Sequence, residues 1–316
     1  MAETGIEYVD EVCNVIKVKG GGYHCAKVSA GCLHCWAEAF NRRFGNGKPF
    51  DAAPTEFVLD EKPFERLARA RKAKRVFVQS MGDIAHLDVP DELIRRVWEW
   101  MRLLPKHTFV VLTKRPQRLA ELFTRWDWNI VDVYDQRPLP NVWLGVSVEN
   151  QLTFDDRTRY LSQIPAAVRF VSAEPLLGPI DLAETFGLYE YAEGKWALKV
   201  GSRWEASPDW MIVGGETGSG ARPMHPDWAR DLRDQCKAAN VAFYFKSWGD
   251  WHESDLQPNA GRFKTHLWPD GKLMYRVGKK RAGRVLDGVE HSELPTDLRM
   301  SSVRCSDLTE AAKPGV

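Results

Sequence analysis

From residue 75 to residue 249 the chain repeats one pattern: a short, near-continuous apolar run, a few polar or charged residues, then a stretch with helical periodicity. The runs RVFVQSMGD (75–83), TFVVLTKRP (108–116), NVWLGVSVEN (141–150), VRFVSAEP (168–175), DWMIVGGETGSG (209–220) and VAFYFKSWG (241–249) predict strands covered on both faces. Between them, PDELIRRVWEWMRLL, PQRLAELFTRW, the stretch 153–163 and PDWARDLRDQCKAA space their apolar residues as helices do. Strand and helix in alternation imply a parallel sheet with crossover helices. Six such units are plain, and two further strands, one within 12–19 and a short one near 56–59, would make eight. The predicted fold is therefore α/β, a (β/α) barrel of TIM-like type, with a six-stranded partial barrel as the alternative. A doubly wound open sheet ranks below both, because no glycine-rich nucleotide fingerprint follows the first strand.

Two stretches break the alternation. An aromatic and charged insertion at 184–208 predicts a hairpin, and beyond Trp248 the chain reads as loops and short strands with Pro-Asp-Gly and Gly-Lys-Lys turns. The expected organisation is a barrel over 1–248 and an irregular C-terminal extension over 249–316, with a loosely held tail from about 296.

The strand ends carry the candidate chemistry, since in a barrel all C-terminal strand ends converge on one mouth. Asp83, Lys114, Arg115, Ser147, Glu149, Glu174, Glu216 and Lys246 would face it, together with Gly214 and Gly215. Any one of them alone would only mark where a strand stops. Six consecutive strands ending in ionisable groups instead point to a charged cavity. Asp83, Glu149, Glu174 and Lys246 are the candidate catalytic acids and bases. Lys114, Arg115, Ser147, Gly214, Gly215 and Glu216 are the candidates for holding a cofactor. Some should pair across the rim, for example Lys114 with Glu149 or Glu174.

A sharper signal precedes the repeats. Cys25, Cys32 and Cys35 stand as C-x6-C-x2-C in HCAKVSAGCLHCWAEAF, followed at once by the helix-like stretch 36–44. Three close thiolates suit an iron–sulfur cluster or zinc, and with no fourth cysteine beside them one metal position is left open for chemistry. A structural zinc would need a further ligand, from His24, His34 or a distant residue. A disulfide framework is not expected, because 316 residues can build a core without staples. The opening MAETGIEYVDEVC is acidic and not continuously apolar, so no secretory signal and a reducing cytoplasm are expected. Cys236 falls in a helical pattern and should simply pack, while Cys13 and Cys305 carry no assignment.

Composition narrows the partners. At 44% hydrophobic and 28% charged residues, without an apolar run long enough to span a bilayer, no membrane partner is expected. A net charge of +1 advertises no nucleic-acid-binding field over the whole molecule. A local one is a candidate: Lys279, Lys280, Arg281 and Arg284 cluster beside Tyr275, with Trp248, Trp251 and Trp268 in the same region. Cations contact phosphates and aromatics stack on bases. The bland counterpart is a solvated hairpin end.

The segments GCLHCWAE, FVQSMGDIAHLDVP, LTKRPQRL, NVWLGVSVENQ, SAEPLLGPIDL and IVGGETGSGARPMHPDW, in that order, resemble a phage- and prophage-borne family of radical-SAM-like three-cysteine proteins. The resemblance implies a radical-SAM-type barrel with a cluster, four-iron before three-iron, on Cys25, Cys32 and Cys35. It further implies S-adenosylmethionine bound at the open iron, cleavage to a deoxyadenosyl radical, and an electron donor as partner. The resemblance supplies no substrate; a nucleotide or nucleic acid is the candidate class because phage genomes often carry enzymes that modify or process DNA or RNA. The chain departs from the usual radical motif in three ways: six residues in place of three in the first cysteine gap, His34 where an aromatic residue is common, and Gly-Gly-Glu on a late strand. Two other readings stand beside it. One is an enzyme using the open iron as a Lewis acid, with Lys246 or a mouth glutamate as acid–base partner. The other is a non-enzymatic nucleic-acid-binding or redox-sensing protein.

Overall fold

The inward-facing positions of the strands follow a period of two, as pleated backbone requires, and they sort by height. In the computed structural model, which describes residues 5–50, 56–125, 138–183, 188–192, 195–198, 208–253 and 263–295, seven strands form the main sheet. They are β1 (Glu11–Cys13), β2 (Arg75–Val78), β3 (Thr108–Thr113), β4 (Val142–Val148), β5 (Val168–Ala173), β6 (Trp210–Gly214) and β7 (Ala242–Ser247). They lie side by side in chain order, and every neighbouring pair is parallel. The connecting helices are α1 (Trp36–Phe44), α2 (Lys62–Ala68), α3 (Asp91–Leu103), α4 (Pro116–Arg125), α5 (Gln151–Leu161) and α6 (Pro226–Ala238).

Strand order without a reversal means each right-handed crossover winds in the same sense, so the sheet curls and no doubly wound crevice forms. The curl stops short of an eight-stranded barrel, and the expectation of eight strands is corrected to a seven-stranded half-barrel. The reason is local. Phe57–Leu59, taken as a barrel strand, pairs antiparallel with Ile16–Val18 and leaves the main sheet. The six-stranded alternative falls one short, because β1 adds to the edge of β2.

Outward residues such as Val142, Leu144, Val146 and Val148 of β4 join the large core under the helices. Inward residues Phe77, Val110, Trp143, Phe170, Trp210, Ile212 and Tyr244 form a second, separate core in the concavity. Tyr8 plugs it, its ring 5.2 Å from Trp210, 5.6 Å from Tyr244 and 6.5 Å from Phe77, so aromatic packing bridges the two ends of the open sheet. Gly145 makes this possible, since a Cβ there would lie 2.5 Å from the Phe170 ring. One step further along the same inward phase the apolar residues give way to Ser147, Ser172 and Lys246. The concavity is thus an aromatic floor with a polar mouth.

After β7, Trp251–Glu253, Leu273–Arg276 and Thr265–Leu267 form a three-stranded antiparallel sheet, and the one-turn helix α7 (Lys279–Ala282) precedes a small hairpin, Val285–Leu286 with Val289–Glu290. In the predicted insertion, Leu188–Ala192 pairs antiparallel with Lys195–Leu198; its other residues, 184–187, 193–194 and 199–207, and the tail from 296 with Cys305, lie outside the described residues. Cys13 and Cys236 are buried. Among the described residues no helix is long and apolar enough to cross a membrane.

Candidate functional site

A cavity of about 550 Å³ opens at the C-terminal ends of the strands. Cys25, Cys32 and Cys35 line it, and so do Asp83, Lys114, Arg115, Ser147, Glu174, Gly215, Glu216 and Lys246. Glu149 and Gly214, the other two strand-end candidates, do not. The structure therefore brings the cysteine loop and most of the strand-end residues to one place, and then divides them between two tasks.

Three carboxylates hold the cysteine loop onto the rim of the sheet. Asp83 accepts from Thr113 Oγ1 at 2.7 Å and from the Lys114 amide at 2.9 Å, and it pairs with Arg115 at 2.9 Å. Arg115 then donates to the Ala26 carbonyl at 2.8 Å and lies 3.9 Å from Cys25 Sγ. Glu149 has no exposed surface; it accepts from Ser29 Oγ at 2.8 Å, pairs with Lys114, and meets Arg157 at 3.2 Å. The capping box of Asn150 and Thr153 at the start of α5 fixes its backbone. Gly31 lies so close above that a Cβ would collide with Glu149 and stand 2.8 Å from Lys114 Nζ, so any side chain there would push this ion pair aside. Glu216 binds Arg222 through its backbone and side chain and faces His34 Nδ1 at 3.2 Å, while Arg222 reaches the Ala30 carbonyl at 2.9 Å.

The charges follow from these contacts. Burial pushes the Glu149 carboxyl up, but Lys114 and Arg157 outweigh it and hold the group below its ordinary value. Burial likewise raises Glu216, and the Arg222 guanidinium with His34 brings it down. Among the thiols, Cys25 is pushed up to about 11 by burial and by Asp83, and Cys35 is raised by burial. Burial would raise Cys32 too, but the Lys114 ammonium and hydrogen bonds at residues 28 and 29 hold it below its usual value. Cys32 is therefore the most acidic of the three thiols.

On the opposite wall Lys246 Nζ pairs with Glu174 Oε1 at 2.8 Å, Ser172 Oγ donates to Glu174 Oε2 at 2.9 Å, and the Lys246 ammonium stands 5.9 Å from the Tyr8 ring centre. Burial disfavours the Lys246 charge, yet Glu174 outweighs it and raises the ammonium above its ordinary value. Gly214 leaves room for Glu174, since a Cβ there would lie 2.8 Å from Oε1, and Gly215 presses against the Trp248 backbone. The rim pairing predicted between Lys114 and Glu149 or Glu174 resolves into two pairs, Lys114–Glu149 and Lys246–Glu174.

The donor set fits an iron–sulfur cluster. Soft sulfur ligands come from one loop, cations stand behind them, and the cavity leaves their fourth side open. Among the described residues, ligand atoms gather within 4.8 Å at His24, His86 and Asp88 and at His225, Asp227 and Asp270, but not at the three cysteines. Thiolates on one tetrahedral zinc would sit about 3.8 Å apart.

Of the predicted basic segment, Lys279, Lys280 and Arg281 are exposed on the single turn of α7, and Arg284 follows it half-buried. Lys279 lines the cavity, but Arg281 lies over Phe263 at 5.3 Å, and Arg284 lies over Tyr244 at 5.0 Å and binds Ser292. Trp248 and Trp251 are buried and donate to the Val285 and Ala221 carbonyls, and Trp268 packs against His225 and His266. Trp248 and Trp251 are therefore committed to holding the C-terminal sheet, while Trp268 is half-buried. Ser29, Arg157 and Arg222, which do anchor the cysteine loop, went unnoticed: a serine in a loop and arginines in a helix and a coil carry no pattern of their own.

Solved structures of spore photoproduct lyase are similar to this chain. One complexed with dinucleoside spore photoproduct aligns with a TM-score of 0.42 at 11% identity, covering 97% of this chain and 76% of that one. A substituted form with bound AdoMet and dinucleoside spore photoproduct aligns with a TM-score of 0.40 at 11% identity, covering 87% and 70%. No curated protein matches. Residues 3–295 match the family model described as "Protein of unknown function (DUF5131)", and the chain belongs to that family.

Proposed function

We propose that this chain is an iron–sulfur enzyme of the radical-SAM-like type that modifies or processes a nucleotide or nucleic acid. The observation that carries the reading is the convergence of Cys25, Cys32 and Cys35 with the strand-end charges on one cavity above an aromatic floor. The three cysteines would hold the cluster, and with S-adenosylmethionine it would supply a one-electron route to a carbon-centred radical. The chain's own residues then have separable tasks. Arg115 and Lys114 offset the negative charge gathered on the sulfurs. Glu174 can accept hydrogen bonds from an ammonium or ribose hydroxyls, and Lys246 can hold a carboxylate or phosphate. Tyr8 and Phe77 close the base of the cavity against water.

The test is anaerobic purification with iron and sulfide analysis, followed by incubation with S-adenosylmethionine and dithionite. Stoichiometric cluster and release of 5′-deoxyadenosine, both lost in Cys32→Ala, are the expected results. A cluster that neither binds nor cleaves S-adenosylmethionine would favour Lewis-acid chemistry with Lys246 or Glu174 as the acid–base partner. A colourless zinc protein would end both readings.

A further inference from the structure

Helix α1 is built inside out. Its buried residues are Ala37, Glu38 and Asn41, whereas Trp36, Phe40 and Phe44, one helical turn apart, are 53%, 47% and 63% exposed. A helix this amphipathic normally turns its apolar stripe to the core. Here the inner face packs only the small Ala37 against Phe50 and Met81 and is otherwise committed to polar work. Asn41 accepts from the Tyr23 amide at 2.9 Å and donates to Asn46 and to the Lys48 carbonyl, tying the two ends of the cysteine segment together. The aromatic face is left to solvent, with Phe40 and Phe44 ring centres 5.0 Å apart.

The surroundings say what would cover it. Between residues 21 and 50 the cations are Lys27, Arg42, Arg43 and Lys48, all exposed; the one acidic residue, Glu38, is buried and shared between Lys27 at 3.3 Å and Arg42 at 3.8 Å, which leaves Arg43 and Lys48 without an acid in this segment. In a chain of net charge +1 this is a local excess of positive charge. Arg43 lies over the Phe44 ring at 4.9 Å, so cation and ring present themselves together. Trp36, at the near end of the stripe, also lines the cavity that the three cysteines share. Exposed rings set among cations along one line, ending at a reaction cavity, match a ligand with flat apolar faces strung on an anionic backbone. Duplex bases stack on one another and offer side chains no such face; a single strand does.

We propose that the exposed face of α1 is a stacking platform for single-stranded nucleic acid, with Phe44 and Phe40 holding bases and Trp36 handing the strand into the cavity. This rests on the nucleic-acid reading of the site and narrows it from nucleotide or nucleic acid to single strand. A protein surface would also cover apolar rings, but Arg43 over Phe44 and the lack of an exposed acid between residues 21 and 50 favour a polyanion.

The test uses the full chain with its cluster loaded and fluorescently labelled oligonucleotides: single-stranded dT and rU of equal length, and a duplex. Both single strands, or one of them, should bind more tightly than the duplex, and the comparison tells DNA from RNA. Phe40→Ala and Phe44→Ala should each weaken single-strand binding about tenfold or more, and Phe44→Trp should retain it. Arg43→Gln should lower the slope of log affinity against log salt by about 0.7. Iron content and 5′-deoxyadenosine release are measured on every variant. Single-strand binding unchanged in Phe40→Ala and Phe44→Ala would overturn the platform even with a working cluster. Preference for the duplex, or sedimentation showing a dimer that these variants dissolve, would overturn it as well. Binding lost with the rings in a protein that releases no 5′-deoxyadenosine would uphold the platform and remove the radical reading instead.

Discussion

Helices α1 and α3 both follow a strand of the same sheet, yet they are held by opposite means. Helix α3 buries Ile94, Val97, Trp98 and Met101 in the core under the sheet. Helix α1 buries small and polar residues and hangs beside a loop pinned by Asp83, Glu149 and Glu216. One is fixed by area removed from water, the other by directed polar contacts. Burial is indifferent to pH and to bound metal, whereas charge pairs respond to both. A loop that must give three sulfurs to a metal gains from being placed by contacts with defined direction, since packing alone sets position less sharply than orientation.

The largest effect should come from α3. Trp98→Ala removes a fully packed ring and should cost about 3–5 kcal/mol in denaturant unfolding, with every probe of structure moving together. Pinning contacts should behave differently. Glu149→Gln keeps the shape but leaves Lys114 and Arg157 without their counter-charge, for a loss of about 1–3 kcal/mol. Its mark should be local: amide exchange across residues 26–35 should accelerate while α3 keeps its protection. Equal acceleration in both helices would mean that the loop and the core open as one unit.

Acid offers the same contrast without a mutation. Glu149 and Glu216 are held below their ordinary value of 4.5 in the folded chain, so their stabilisation is complete above pH 4.5 and is lost as pH falls through their lowered folded values. His86, pushed down to about 4 by burial and by Arg115, costs stability in a window above that. The unfolded chain takes up this proton below 6.5 and the folded chain only near 4, so stability declines between those values. Exchange corrected for its intrinsic pH dependence should therefore show a gradual global decline from pH 6.5 and a separate opening of residues 26–35 below 4.5. A loop as protected at pH 3.5 as at pH 7 would show that the carboxylates do not hold it.

The same contrast explains what the amino-acid pattern revealed. Strands β2 to β7 were legible because they are buried on both faces and read as apolar runs, and α3, α4 and α6 because their apolar stripes do turn inward. The third residue class, strand-end charges, was legible as a group that, Glu149 excepted, lines one cavity, since the period of two and parallel order leave little choice. What each charge does was not legible. Glu149 and Glu174 look alike in sequence, and only the loop folding back over the rim makes one an anchor and leaves the other facing the cavity. The eighth strand failed for a similar reason: Phe57–Leu59 has strand character, but its partner is Ile16–Val18. Pairing partners of short strands are set by chain connections, which pattern does not encode.

The smallest effect on stability should come from the residues that pattern alone would have buried. In an ordinary amphipathic helix, Phe40 and Phe44 would be core residues, and truncation to Ala would cost about 3–5 kcal/mol. With about half or more of their surface already in water, the change should stay within about 0.5 kcal/mol, the range of ordinary surface sites. The comparison also holds within one helix: Asn41→Ala, on the buried face, removes three hydrogen bonds and should destabilise the loop by more than either aromatic truncation. Denaturant midpoints of Phe40→Ala, Phe44→Ala and Asn41→Ala decide it. If the two aromatic variants were the unstable ones, the stripe would be supporting the fold, and the exposed face of α1 would have to be read as structural.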